Sequence, residues 1–142
     1  MIHFELVTLT GAKFKQSVHE VLLPTPEGQI AIFTGHMPLV SVASEGVISI
    51  RVKETDPDDF MESFATHGGL IEISGMTVRV LVDEADHADE IVLAEAEKAH
   101  EAAKDALKNA KGLVSIEEAQ SLIDRTAIRL QVAGLKRRKQ KR

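Results

Sequence analysis

Six histidines, a run of acidic side chains and a dense basic terminus are the residues of this chain best suited to chemistry. Asp83, Glu84, Asp86, His87, Asp89 and Glu90 crowd into eight positions and offer carboxylate and imidazole ligands. As a cation site they would support metal-dependent hydrolysis, although the glycine-turned loop that wraps calcium is missing. As part of a helix start they would only complement free backbone N–H groups. His3 and His19 stand in alternating, strand-like surroundings where a surface imidazole needs no ligand, and His67 precedes Gly68-Gly69 in a turn. Lys136, Arg137, Arg138, Lys139, Lys141 and Arg142 form either a solvated terminus or an arm for nucleic acid, anionic lipid or an acidic protein. No G-x-S-x-G elbow, P-loop or H-E-x-x-H helix occurs. Gly68-Gly69 is followed by no helix start that could cradle phosphate. With no cysteine in the chain, thiolate nucleophiles, thiolate metal sites and disulfides are excluded. The residues make no positive case for catalysis.

The elements that must position these residues fall into two unlike halves. The 142 residues suffice for one ordinary domain or two small pieces. Residues 1–86 carry 5 basic and 13 acidic side chains, net −8, whereas residues 87–142 carry 12 and 9, net +3. No uncharged run approaches the ~20 apolar residues of a membrane span. Met1 to Leu6 has neither the basic start nor the apolar core of a secretory signal. Trp and Tyr are absent and aromatics reach 4%, which counts against base-stacking and aromatic hot-spot binders. In the front half, Ile2, Phe4 and Leu6 alternate with His3 and Glu5, the period of a half-buried strand. Apolar runs recur at Val18–Leu23, Ile30–Phe33, Val40–Ala43, Val47–Val52, Met61–Phe64, Leu70–Ile73 and Thr77–Val82, broken by Gly, Pro and Asp turns. The pattern predicts an all-β sandwich or barrel.

From Asp86 the period changes to that of a helix. Asp86 and Asp89 are expected to start a helix rich in Ala94, Ala96, Ala99, Ala102, Ala103, Ala106 and Ala110, with Gly112 closing it. Ser115 and Glu118 are spaced as a capping box for a second helix. Ile116, Ala119, Leu122, Ile123, Ala127, Leu130 and Ala133 are expected to line its apolar face. The fold class is therefore α+β, an all-β N-terminal unit over residues 1–86 followed by an antiparallel two-helix hairpin over 87–142. Two Ala-rich helices bury little area and are marginal alone, so the hairpin must lean on the β unit or a partner and can detach.

Leu23-Pro24-Thr25-Pro26-Glu27-Gly28-Gln29-Ile30-Ala31-Ile32-Phe33-Thr34-Gly35-His36-Met37-Pro38-Leu39-Val40 resembles the central signature of the epsilon subunits of F-type ATP synthases. Gly46-Val47-Ile48, Gly68-Gly69-Leu70-Ile71-Glu72-Ile73 and Ile128-Arg129-Leu130-Gln131-Val132-Ala133 are similar to later strands and the closing helix of that family, so the likeness covers nearly the whole chain. The resemblance implies a β-sandwich in the first half and a non-catalytic rotor subunit of a central stalk. Its partners would be the gamma shaft, the c-ring of the membrane sector and, in an inhibitory state, the catalytic beta subunits. The setting implied is peripheral, on the cytoplasmic face of the inner membrane. Gln29, Thr34, Gly35, His36, Met37 and Pro38 would meet the ring. Gln29 stands where the family often has Glu, and Thr34 where it has Pro. Arg125 and Arg129 match basic positions with which the second helix meets the catalytic subunits. Some members bind ATP through an Ile/Leu-Asp-x-x-Arg-Ala motif; here Val92 and Glu95 replace its Asp and Arg, and a Glu would repel a triphosphate. No cofactor or metal is therefore expected. A small β-sandwich adaptor whose basic tail binds nucleic acid or another polyanion is the competing reading.

Overall fold

The computed structural model describes the backbone of residues 1–140 and side chains through Lys136. Arg137, Arg138 and Lys139 of the basic tail are thus described as helix backbone only, and Lys141 and Arg142 lie outside the described residues. Ten strands precede two helices. One five-stranded sheet has the order β2 (Gly11–Val18), β1 (Ile2–Thr8), β9 (Thr77–Val82), β8 (Gly69–Ser74), β5 (Leu39–Ala43). The second runs β10 (Ala85–His87), β7 (Glu62–Thr66), β6 (Gly46–Arg51), β3 (Glu20–Thr25), β4 (Gly28–Ile32). Pairing is antiparallel except between β1 and β9. The two sheets face each other as a sandwich.

Period-two alternation builds the core. Ile2, Phe4 and Leu6 point inward from β1, Val78, Val80 and Val82 from β9, and Ile71 and Ile73 from β8. Val21 and Leu23 of β3, Ile32 of β4, and Ile48 and Ile50 of β6 meet them. Phe4 and Phe14 lie 5.8 Å apart, Phe14 and Phe64 6.1 Å, so a file of rings crosses the core. At Gly69 a Cβ would fall 1.9 Å from the Leu81 carbonyl oxygen, so only glycine lets β8 approach β9 there.

Three expectations need correction. The front half has two more strands than the apolar runs mark. β2 is an exposed, lysine-bearing edge with little apolar periodicity, and β10 is three residues long and straddles the expected boundary at residue 86. Helix α1 (Leu93–Asn109) starts later than Asp86 or Asp89, because those residues are held in β10 and in a single 3-10 turn at Ala88–Glu90. Helix α2 (Leu113–Gln140) begins directly after Gly112, so Ser115 falls inside its first turn and Gly112 opens α2 rather than closing α1. The cap lies instead at His87: the Asp89 N–H donates to His87 Nδ1 (3.1 Å) and the His87 N–H to Glu90 Oε2 (3.3 Å).

The helices pair through small residues. Ala96 and Ala103 of α1 and Ala119 and Ala133 of α2 are buried, whereas Ala127, Ile116 and Leu122 of the expected face are exposed. Among the described residues one polar contact crosses this seam: His100 Nδ1 donates to Thr126 Oγ1 (2.8 Å), and that hydroxyl donates to the Leu122 carbonyl (2.8 Å). The hairpin lies against the second sheet. Ala65, Ala88, Ile91, Ala96, Val132 and Ala133 form a small second cluster, with Val47, Leu93, Ile128 and Leu130 at its margin. β7 is consequently covered on both faces: Ser63, Phe64, Ala65 and Thr66 are all buried. Gly69→Ala is expected to destabilise the chain by at least ~2 kcal/mol, measured as a fall in urea midpoint, because β8 must separate from β9 to admit the methyl group.

Candidate functional site

The Thr34–Pro38 segment is a turn closed by its own backbone. The His36 N–H donates to the Phe33 carbonyl (3.3 Å), and Gly35, third of the four residues, has φ of 87°. This is the geometry of a type II turn, which requires positive φ at that position. His36 Nδ1 donates to the Met37 carbonyl (2.7 Å), leaving Nε2 as an acceptor. Met37 is 78% exposed, and so in part is Phe33, whose ring packs edge-on against His19 at 5.8 Å. Thr34, Gly35, Met37 and Pro38 are exposed and His36 half-buried, so the turn gathers five of the six residues expected at the ring. Gln29 is not gathered with them. It sits at the other end of β4, opposite Pro24 and four residues before Phe33, roughly 13 Å along the strand. β4 is an edge strand and Gln29 is exposed, so the two lie along one open edge.

The outer face of the first sheet carries a surface that the front-half reading missed. Val42, Leu70, Leu81 and Val7 are direct cross-strand neighbours on β5, β8, β9 and β1. Val42, Leu70 and Leu81 are 57%, 42% and 41% exposed, and Val40 beside them 69%. The adjacent row is charged: Glu72, Arg79, Glu5 and Lys15 oppose one another in alternating sign. Arg79 Nε approaches Glu5 Oε2 at 3.0 Å and Lys15 Nζ approaches Glu5 Oε1 at 3.4 Å. The Arg79 hydrogen bond, against a desolvation effect and helped by Lys15, holds the Glu5 carboxyl below the usual carboxylate range. A partial signal for this surface lay in Val40, Val42, Leu70 and Leu81, apolar residues at positions where an apolar-in, polar-out alternation would put polar ones.

The third feature is the row of cations on α2. Arg125 Nη1 stands 3.8 Å from Glu84 Oε2, Arg129 Nε 3.4 Å from Asp86 Oδ2, and Lys136 Nζ 3.8 Å from Asp89 Oδ1. The Nε atoms of both arginines are buried without a hydrogen bond, so these are ion pairs of charge rather than of directed bonds. The space beside Arg125 and Arg129 amounts to about 10 Å³, the room of a single water. The acidic run does not converge on one point. Asp86 and Asp89 face α2, Glu90 faces Lys13 at 3.7 Å, and His87 Nε2 donates to Glu62 Oε2 at 2.6 Å. Among the described residues no group of three or more such side chains is placed to hold a metal ion.

A model of the β-sandwich domain of the ATP synthase delta/epsilon chain matches residues 1–88. The ATP synthase epsilon chain of Delftia acidovorans is 33% identical over 141 residues, 99% of this chain and 98% of that one. This chain belongs to the ATP synthase epsilon family. The epsilon chain of Herpetosiphon aurantiacus is 32% identical over 139 residues, 98% of each chain. A chain in the cryo-EM structure of the Euglena gracilis mitochondrial ATP synthase (OSCP, F1 and c-ring) shares the fold at TM-score 0.79 and 19% identity, covering 93% of this chain and 80% of that one. One in the central stalk and c-ring structure from Tetrahymena thermophila matches at TM-score 0.64 and 15% identity, covering 92% and 94%. The family's subunits are accessory to the rotary complex rather than catalytic, and the adaptor reading finds no support among these relatives.

Two outcomes test this geometry. Proline suits the second position of a type II turn, so Thr34→Pro should raise stability by ~0.4–1 kcal/mol, read from the denaturant midpoint. Because Glu5 is held below its unfolded value, its contribution is full above the ordinary carboxylate range and is lost as pH falls through and below that range. Glu5→Gln should flatten that acid limb in a pH series of thermal melts and lower stability at pH 7.

Proposed function

We propose that this chain is the joint of a rotary central stalk, gripping the gamma shaft with one sheet and the c-ring with one strand edge, and carrying the helical hairpin as a movable brake. The apolar row Val42–Leu70–Leu81–Val7 carries the reading. A continuous apolar band on a sheet otherwise ruled by charge marks a lasting protein contact, and the neighbouring Glu72–Arg79–Glu5–Lys15 ladder supplies a polar rim. The Thr34–Pro38 turn and edge strand β4 present His36, Met37 and Gln29 to the polar loops of the ring. A neutral Gln29 gives that contact a hydrogen bond in place of a charge pair.

Rotation driven by ion flow through the ring would reach the catalytic head through this joint. No described helix is long and apolar enough to cross a membrane, and the chain's place in a membrane-associated complex is supplied by its partners. We place it peripherally, on the cytoplasmic face of the inner membrane.

The hairpin adds regulation. In the docked arrangement Arg125 and Arg129 are occupied by the chain's own carboxylates, and turnover is permitted. Extended, the same side chains would meet an acidic surface of the catalytic beta subunits and stop hydrolysis. We propose no nucleotide sensor. Val92 is 54% exposed, Glu95 is exposed and acidic, and a one-water space beside the arginines does not admit a triphosphate. We set the working boundary between residues 91 and 92, because β10 pairs with β7 and His87, which caps the following 3-10 turn, donates to Glu62.

The tagged chain should recover shaft and ATPase subunits from membranes, and Val42→Asp with Leu70→Asp should abolish that recovery while the chain stays folded by circular dichroism. Deleting residues 92–142 should leave assembly intact and raise ATP hydrolysis severalfold; unchanged hydrolysis would remove the brake. Isothermal titration with Mg-ATP should show no micromolar binding.

A further inference from the structure

We propose that Glu84, Asp86 and Asp89 form an electrostatic latch, a built-in acidic surface that keeps the hairpin docked by occupying Arg125, Arg129 and Lys136. An acidic partner surface must displace it to reach those side chains. The latch stands on the geometry, and its regulatory use rests on the brake reading above.

Among the described residues, these three pairs are the ion pairs that join the helices to the sandwich side. They share one register. Arg125, Arg129 and Lys136 are spaced at i, i+4 and i+11, three turns on a single face of α2. Eleven helical residues rise ~16 Å. Glu84 to Asp89 runs extended and ends in one 3-10 turn, a span of roughly 14–17 Å. The carboxylates therefore keep pace with the cations along the whole contact, in the order 84–125, 86–129, 89–136. Lys136 Nζ adds a contact to the Asp89 carbonyl at 3.4 Å.

The two sides of the latch differ in stiffness. The acidic strap is pinned to the sandwich: Asp86 sits opposite Ala65 in the β10–β7 ladder, His87 donates to Glu62, and Lys13 reaches Glu90. The His87 ring also packs edge-on against Phe64 at 4.9 Å. The cations stand on long side chains, partly exposed, at 3.4–3.8 Å and with both arginine Nε atoms unbonded. Such pairs are individually weak and open to screening. The apolar part of the docking is mostly alanine, with Ile91 and Val132 as its larger buried members. A contact divided in this way is reversible, and an acidic surface of similar spacing competes with the strap for the same three cations. Docking and capture are then mutually exclusive by occupancy.

The test uses the isolated full chain and then the assembled ATPase. Amide hydrogen exchange at Val132 and Ala133 and in α1 reports undocking. Glu84→Gln, Asp86→Asn and Asp89→Asn together should speed that exchange at least tenfold while leaving β1, β8 and β9 protected. Raising NaCl from 0.1 M to 1 M should do the same to the native chain and little to the triple variant. Apolar docking does not loosen with such salt, so the direction is diagnostic. Reversing both sides, Glu84→Arg and Asp86→Arg with Arg125→Glu and Arg129→Glu, should restore protection. Exchange indifferent to neutralisation and salt would overturn the latch and leave the apolar cluster as the whole attachment. If the triple variant unfolds globally, the salt response of the native chain and the reversed pair decide. In the assembled complex the triple variant should inhibit hydrolysis more strongly than the native chain. Undocking in the free chain with unaltered hydrolysis keeps the latch and overturns the brake.

Discussion

The burial of β7 on both faces is the constraint on which the arrangement depends. One face of Glu62–Thr66 closes the sandwich core through Phe64, and the other receives the hairpin through Ala65. A strand covered twice cannot take charged side chains on either side without cost, and its small residues, Ser63, Ala65 and Thr66, let the helices come close. The same strand pairs with β10, whose three residues fix the acidic strap, and its Glu62 accepts from His87. Core, helical arm and the carboxylates facing that arm are thus referred to one five-residue segment.

Energy is unevenly distributed over the molecule. The sandwich core joins Phe, Ile, Leu and Val side chains of eight strands and is almost wholly shielded from water. The attachment of the arm is alanine-rich and ionic. At ~25 cal/mol per Å² the first is a durable structure and the second a local equilibrium superimposed on it. The proposed function, a joint that carries rotation and also a movable brake, calls for this division between a stiff body and a loosely held arm.

How much was legible in the sequence follows from periodicity. Alternation in Ile2–Leu6 and the glycine turns marked the sandwich, and the alanine register marked two helices, because in both cases one buried face imposes a repeat. β2 was hidden because Lys13, Lys15 and Gln16 are exposed along an open edge, and β10 because three residues make no period. The expected apolar face of α2 was wrong by part of a turn: with a sandwich on one side and a helix on the other, α2 buries Thr126 and Val132 and leaves Ala127 and Leu122 to solvent. The Gly-His-x-Pro-Leu turn was readable from its glycine, whereas the distance between it and Gln29 is a property of strand length that no motif expresses. The acidic run looked like helix-starting charge because its partners lie some forty residues away, beyond any local pattern.

The helices are unequal, 17 residues against 28. Within the shared length, the His100–Thr126 bond fixes the register of the two helices against one another. At the far end of that length α2 holds Val132 and Ala133, whose cover comes from the sandwich side and from the start of α1. On the brake reading, a hairpin that leaves the sandwich strips Val132 and Ala133 of their Ala65, Ala88 and Ile91 neighbours, an apolar exposure that a receiving surface would have to cover. The arm is therefore unsuited to idling in water between two seats, and its travel should be abrupt, from one berth to the next.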